Sequence, residues 1–446
     1  MLSKRVLSLL ASSLLSLGRC RWLVLILVLC GAAGSAAGQP YKSDPVDKTA
    51  RAYQTNAKQW LTNPAAYAAD KQHFDDYFIK YYFPDMTHAE DADLGRLGDS
   101  RYNLFKKFLW ATNNAQLQQD LTDMAYKKMG PKVVDPGYHP AVRYNAILVI
   151  GMLDEQYANA PGQTSKPLPK ATKALTGVVD NATAPDCRFP PPIILGAIIG
   201  LERHAQLRAS LTPEAIAAMT TALVKLVVHD EPIQEMDPDA YAWIRLRAAE
   251  TLAKLGSVGE KNSVHNALVQ LISNSKSLDD RCEAAGLLDK LNYKDVKLDD
   301  AKTAESLFTL ARDVATAEDK RASEFQNQYS GGGTSAPGPR PRGPEFSPAG
   351  GGDEQQETYP RRQVLARLTN LRNAVARVKP ALPAETQKKA DDLIKAIDPA
   401  KTAAVDKNTI ELKLAAAIRT MAVAINKAVP APAGEKAAPA KAAAAL

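Results

Sequence analysis

Residues 244–256 read Ile-Arg-Leu-Arg-Ala-Ala-Glu-Thr-Leu-Ala-Lys-Leu-Gly, and this stretch decides the fold. Its small and aliphatic residues Ala248, Ala249, Leu252 and Leu255 are three or four positions apart, so they share one face of a helix. The alanine pair lets a neighbouring helix approach closely, while leucine fills the space beyond it. Because one helix pair cannot hide such a stripe alone, the pattern predicts helix pairs that stack side by side.

The same skeleton, Arg-x-x-Ala followed by apolar residues at helical spacing, recurs along the chain. Copies begin at Arg143 and Arg281, a looser copy begins at Arg101, and a degenerate copy at 191–202 lacks the arginine. In that degenerate copy, Ile199-Gly200 occupies the place that Ile150-Gly151 has in the copy beginning at Arg143. The steps are about 36–53 residues, near the spacing of helical repeats. The predicted structural repeat positions are Arg101, Arg143, Ala146, Arg245, Ala248, Ala249, Leu252, Arg281, Ala284, Ala285 and Leu288.

This skeleton resembles the second helix of a HEAT repeat, and the chain is similar to exported bacterial HEAT-repeat proteins over about half its length. The resemblance implies an all-α fold, a HEAT-like α-solenoid whose second helices line the inner face. It also implies a structural role for the arginines, which form ladders with neighbouring acids and backbone carbonyls. Scarce aromatics and abundant Ala, Leu and Lys agree with an all-helical chain.

The first 38 residues predict export. Four basic residues precede an apolar run at 22–30, and small residues follow it at 31–38. This order is typical of a secretory signal peptide. The apolar run is shorter than the roughly 20 residues of a membrane span. We therefore expect a periplasmic, cell-envelope or secreted protein, with an uncleaved N-terminal anchor as the alternative.

Composition changes again beyond the repeats. Glycine and proline runs with little apolar content predict a disordered linker, after which apolar residues return at helical spacing. From residue 361 onward the chain has 16 Lys/Arg against 7 Asp/Glu, a net charge of +9. The predicted organisation is a signal peptide at 1–38, a HEAT-like repeat domain at 39–328, a Gly/Pro-rich linker at 329–360, a basic helical bundle at 361–429 and a disordered Ala/Pro/Lys tail at 430–446.

Candidate chemistry is sparse. The sequence contains no nucleophile elbow, no phosphate-binding glycine loop and no zinc-protease motif. Its densest polar cluster runs from His73 to Asp93; these residue types could bind a metal, but their spacing matches no ligand set and the interleaved aromatics favour packing. Cys187 and Cys282 could pair in an oxidising compartment, although a small buried thiol is the preferred account of Cys282.

These observations predict a scaffold rather than an enzyme, with no cofactor, no metal and no small-molecule substrate. The first hypothesis is a non-catalytic module of the cell envelope that binds a protein partner along its helical-repeat surface. The second is an envelope module whose basic segment at 361–446 holds an anionic polymer or membrane surface; nucleic acid is disfavoured as a partner, because aromatics for base stacking are scarce there. The third is an enzyme or metal-binding protein that uses the His73–Asp93 region.

Overall fold

The computed structural model describes residues 41–158, 162–234, 236–294, 296, 298, 300–330 and 359–429. The predicted signal peptide at 1–38, most of the predicted linker and the predicted tail at 430–446 lie outside them. The described residues are mostly helical, and their strands are one short antiparallel pair, Asp154–Gln156 and Lys166–Pro167. The predicted all-α class is therefore confirmed. Contacts divide the chain into two compact units, unit 1 (Met1–Leu255) and unit 2 (Gly256–Leu446).

Unit 1 begins with short helices around an aromatic core. The helices are α1 (Ala57–Thr62), α2 (Pro64–Ala69), α3 (Lys71–Asp76), α4 (Phe83–Asp85), α5 (Asp91–Leu94) and α6 (Leu97–Asn103), with a 3-10 segment at Ala50–Asn56 and π-helical segments at Tyr77–Tyr82 and Leu104–Leu109. Phe74, Phe78 and Phe108 are buried. The ring centroid of Phe78 lies 4.8 Å from that of Phe74 and 5.0 Å from that of Phe108, spacings at which aromatic rings attract one another. Most of the aromatics between the acids of the polar cluster are thus core residues, namely Phe74, Tyr77, Phe78 and Phe83.

In the described part of residues 115–255, consecutive helices form pairs. They are α7 (Ala115–Val134), α8 (Pro140–Met152), α9 (Pro169–Asn181), α10 (Pro191–Gln206), α11 (Pro213–Val228) and α12 (Pro238–Leu255), with a 3-10 turn at Arg208–Ser210. Every helix here from α8 to α12 starts at a proline, which has no N–H to lose at that position. Within each pair (α7–α8, α9–α10 and α11–α12) the two helices pack together, the second helices also contact one another in series, and α9 contacts α11.

The junction of α8 and α10 is unusually close. A Cβ built on Gly151 would lie 2.8 Å from the Cα of Gly200, and one built on Gly200 would meet Leu175 at the same distance. Only glycine allows the two backbones to come this near. The degenerate repeat at 191–202 therefore stacks on its neighbour through glycine, without a repeat arginine.

Unit 2 contains the remaining helices. They are α13 (Ser263–Asn274), α14 (Leu278–Leu288), α15 (Asp300–Ser330), α16 (Arg361–Val378), α17 (Ala384–Val405) and α18 (Glu411–Ala428), with 3-10 turns at Glu260–Asn262 and Lys379–Ala381. Helix α16 packs on α14 and α15, and α18 packs on α15 and α17. The helices that follow residue 360 therefore share one unit with α13, α14 and α15, which precede the linker.

This packing differs from the separate bundle that the sequence predicted at 361–429. Arg367 is buried and bonds to two acids from before the linker: its Nη1 lies 2.6 Å from Oε1 of Glu318, and its Nε lies 2.6 Å from Oδ1 of Asp279. Glu318 is itself fully buried. A buried charge persists only when it is paired, so Arg367 ties α16 to α14 and α15 rather than solvating a helix face.

Candidate functional site

The repeat arginines are helix caps. Arg143, Arg245 and Arg281 each donate from Nε to a backbone carbonyl in the last turn of the preceding helix. The pairs are Arg143 with Val133 at 3.1 Å, Arg245 with Val227 at 2.9 Å and Arg281 with Ile272 at 2.7 Å. Carbonyls in a last helical turn have no intrahelical donor. Each arginine therefore fastens the end of one helix to the flank of the next.

Two of these arginines also reach an acid. Nη2 of Arg245 lies 2.6 Å from Asp230, and Nη1 of Arg281 lies 2.7 Å from Asp313. Arg143 is nearly as buried as Arg245, and burial lowers the pKa of its guanidinium. Arg101 differs, since its Nη1 bonds to Oδ1 of Asn145 at 2.6 Å rather than to a helix end.

The remaining repeat positions are packing residues. They are fully buried, in line with close contact between neighbouring helices, and consist of Ala146, Ala248, Ala249, Leu252, Ala284, Ala285 and Leu288. These seven positions therefore serve the packing between neighbouring helices.

The polar cluster from His73 to Asp93 does not converge on one point. His73 stacks on Tyr53 and places Nδ1 2.5 Å from Oδ1 of Asp70, whereas Nε2 of His88 lies 3.2 Å from the carbonyl oxygen of Asp44. Across the residues that the structure describes, no three His, Cys, Asp or Glu side chains are grouped as metal ligands would be.

Both cysteines beyond the first 38 residues are free thiols in the structure. Cys187 is half-buried, while Cys282 is buried in the helical core. Burial raises the pKa of the Cys282 thiol to about 12, so this cysteine stays protonated and unreactive near neutral pH.

A groove of about 850 Å³ opens between α7 and α9 in unit 1. Its floor is formed by Ile147 and Ile150 of α8, both buried beneath it. One wall is the C-terminal half of α7, which ends in Val134, and the other is the C-terminal half of α9 around Val178. Val134 keeps 41% of its surface exposed. The groove is therefore an apolar concavity of the size usual for ligand sites.

One end of the groove is closed by contacts between its walls. The Tyr126 hydroxyl donates to the carbonyl oxygen of Lys170 at 3.3 Å, and the Lys170 ammonium pairs with Asp123. These bonds join the middle of α7 to the start of α9, and beyond them the groove separates the two helices. Arg143 bonds to Val133 and so holds the end of the α7 wall.

Each wall contains a glycine that packing does not require. A Cβ on Gly130 of α7 or Gly177 of α9 would meet nothing within 4 Å. Glycine inside a helix is destabilising by roughly 0.5–1 kcal/mol relative to alanine. Pro131 follows Gly130 and has no N–H, so the Lys127 carbonyl loses its helical donor. At Gly130 and Gly177 the groove wall therefore consists of backbone, where any other residue would add a side chain.

The open end is bordered by residues 182–189. Gln234 has the left-handed φ of 51° and donates from Nε2 to the carbonyls of Cys187 and Phe189, both at 2.9 Å. Such strained residues cluster at functional sites. The Arg188 guanidinium lies 5.6 Å from the centroid of the Phe189 ring. These contacts therefore hold the border of the groove in place.

Charge is uneven around the groove. Its charged lining residues are Lys127 and Arg188, two cations, and Asp186, one anion. All three are exposed, whereas the floor is apolar. The groove therefore combines an apolar floor with a rim of net positive charge.

Sequence reasoning missed this groove. The available signal was glycine inside otherwise helical patterns, at Gly130 and Gly177, where alanine would be the better helix former. Nothing local in the sequence indicated that α7 and α9 would part.

Comparison of the chain with protein-family models, with curated proteins and with solved structures found no match.

Proposed function

We propose that the chain is a non-catalytic scaffold that binds a protein partner, with the groove of unit 1 as its main contact surface. The observation that carries this proposal is the apolar concavity between α7 and α9, whose floor and walls come from regular helices. Hydrophobic grooves between helices are a recurring place for a protein partner to dock.

The helix arrangement of unit 1 supports the same proposal. Its second helices α8, α10 and α12 form a continuous packed series, as expected of stacked HEAT-like pairs. Arginines of the repeat skeleton cap the preceding helices, which keeps the pairs in register. The HEAT-like solenoid expected from the sequence remains part of the proposal.

Location in the cell envelope is also proposed, on the strength of the first 38 residues. Among the described residues, no helix is both long enough and apolar enough to cross a membrane. An uncleaved anchor within residues 1–38 stays the alternative to cleavage.

The other hypotheses have less support. Several cations of residues 361–429 are already paired with acids, which leaves less charge for an anionic polymer; the pairs are Arg367 with Glu318, Arg372 with Asp398, Lys379 with Asp391 and Arg419 with Asp319. The His73–Asp93 region, the basis of the enzyme or metal-binding hypothesis, presents histidines with separate partners.

Site-specific photo-crosslinking in the source cells tests the scaffold proposal. A photoreactive amino acid that replaces Val134 lies on the groove rim. The matched control places the same photoreactive amino acid at Ile199, which is 36% exposed on α10 and lies outside the groove lining. We expect discrete protein adducts from Val134 and far weaker ones from Ile199. Absence of protein adducts from both positions, and from a set of other exposed sites, would contradict the scaffold.

A further inference from the structure

We infer that the groove of unit 1 binds the apolar face of a short helix, about two turns long, in which acidic residues flank the apolar ones. This inference rests on the proposed scaffold function and names the chemistry of its partner.

The groove is large enough for one face of a short helix. Its volume is about 850 Å³, and two turns of an α-helix about 10 Å wide and 5.4 Å in pitch occupy roughly the same volume. An amphipathic helix lying in an apolar groove between helices is a recurring mode of recognition.

The wall glycines allow a guest backbone to approach. Gly130 and Gly177 lie on opposite walls, and neither is demanded by neighbouring atoms, since a Cβ at either would meet nothing within 4 Å. Interaxial distances between packed helices depend on the side chains at the contact. Without side chains at these two positions, a helix can settle between α7 and α9 and reach the floor at Ile147 and Ile150.

Charge selects among amphipathic helices. Lys127 on the α7 wall and Arg188 at the open end outnumber Asp186. Arginine pairs with carboxylates through two parallel hydrogen bonds. A guest helix with Glu or Asp beside its apolar stripe would therefore form favourable ion pairs with both cations. A guest helix with lysines in those places would be repelled.

The test uses the full chain and a displayed library of random 16-residue peptides. Peptides are selected on the unmodified protein and then measured by fluorescence anisotropy against the Gly130→Leu/Gly177→Leu variant, whose new side chains fill the groove. Gly98→Leu is the matched control, because Gly98 also lies in a helix with no atom within 4 Å of an added Cβ, but outside the groove.

We expect the enriched peptides to carry apolar residues at i, i+3 or i+4 and i+7 with acidic neighbours. Their affinity should fall about ten-fold or more in the double variant, because leucine side chains overlap the guest, and remain unchanged in Gly98→Leu. Arg188→Glu should weaken the acidic peptides and favour their Glu→Lys versions.

Three results would overturn the inference. They are no enrichment of peptides, enriched peptides that lack acids or bind the double variant equally well, and displacement of every peptide by dodecanoate, which would assign the groove to an acyl chain. If any of these occurs while Val134 still crosslinks to protein, the scaffold proposal stands and only the helical guest is wrong. If the crosslinks are missing too, both fail.

Discussion

Two helix junctions in unit 1 use glycine for opposite purposes. At the α8–α10 junction, Gly151 and Gly200 face each other so closely that an added Cβ would strike backbone. At the α7–α9 junction, Gly130 and Gly177 have no neighbour that an added Cβ would reach. The first pair closes a seam, and the second keeps a groove open. Glycine in a helical repeat thus indicates either close packing or an open wall, and only its surroundings distinguish the two.

The largest expected effect comes from filling the closed seam. Gly151→Leu should destabilise unit 1 by about 3 kcal/mol, because the new side chain meets the α10 backbone and forces the helices apart. Urea denaturation of the full chain, followed by circular dichroism, measures the shift. Gly177→Leu is the matched variant at the open junction and should change stability little. Equal losses in the two variants would show that the junctions do not differ as described.

A smaller effect should come from pH, through one buried histidine in each unit. Burial lowers the pKa of His204 to about 3 and that of His265 to about 4. His204 lies 3.0 Å from the Thr172 hydroxyl, and His265 lies 2.9 Å from the hydroxyls of Tyr293 and Thr303. An unfolded histidine titrates near 6.5, so between these values the unfolded chain binds more protons.

The stability that the two neutral histidines contribute should therefore be fully present above about pH 6.5. It should decline as the pH falls towards 4. Each histidine contributes at most about 1.4 kcal/mol per pH unit to this decline. Denaturation midpoints at pH 7 and 5.5 measure it, and His204→Gln and His265→Gln serve as variants that do not titrate. If both variants kept the full pH dependence of the natural chain, other groups would have to be responsible.

The smallest expected effect, with the opposite sign, comes from the open junction. Gly130→Ala and Gly177→Ala should each stabilise unit 1 by about 0.5–1 kcal/mol, because alanine loses less backbone freedom in a helix and meets no neighbour here. Calorimetry should record a higher Tm, and Gly98→Ala should behave alike. If Gly130→Ala or Gly177→Ala lowered the stability while Gly98→Ala did not, glycine would be needed at that position for folding. The wall glycines would then no longer distinguish the groove.

Much of unit 1 could be predicted from local signals. The arginine of each clear repeat sits where its side chain reaches the preceding helix end, as at Arg143 and Arg245. The degenerate copy without arginine does form a helix, α10, and stacks through Gly200 instead. Arg101 shares the skeleton yet bonds to Asn145 instead of a helix end, and it lies just before a π-helical segment.

The sequence by itself determined that this chain is helical, where several of the described helices begin and which faces carry the apolar stripes. Those properties depend on residues a few positions apart, through proline at a first turn and the period of the helix. Tertiary structure alone decided that α7 and α9 part to leave a groove, that Gly151 meets Gly200, and that Arg367 is buried against Glu318. These depend on residues about 50 positions apart in the chain, whose contact no local pattern encodes.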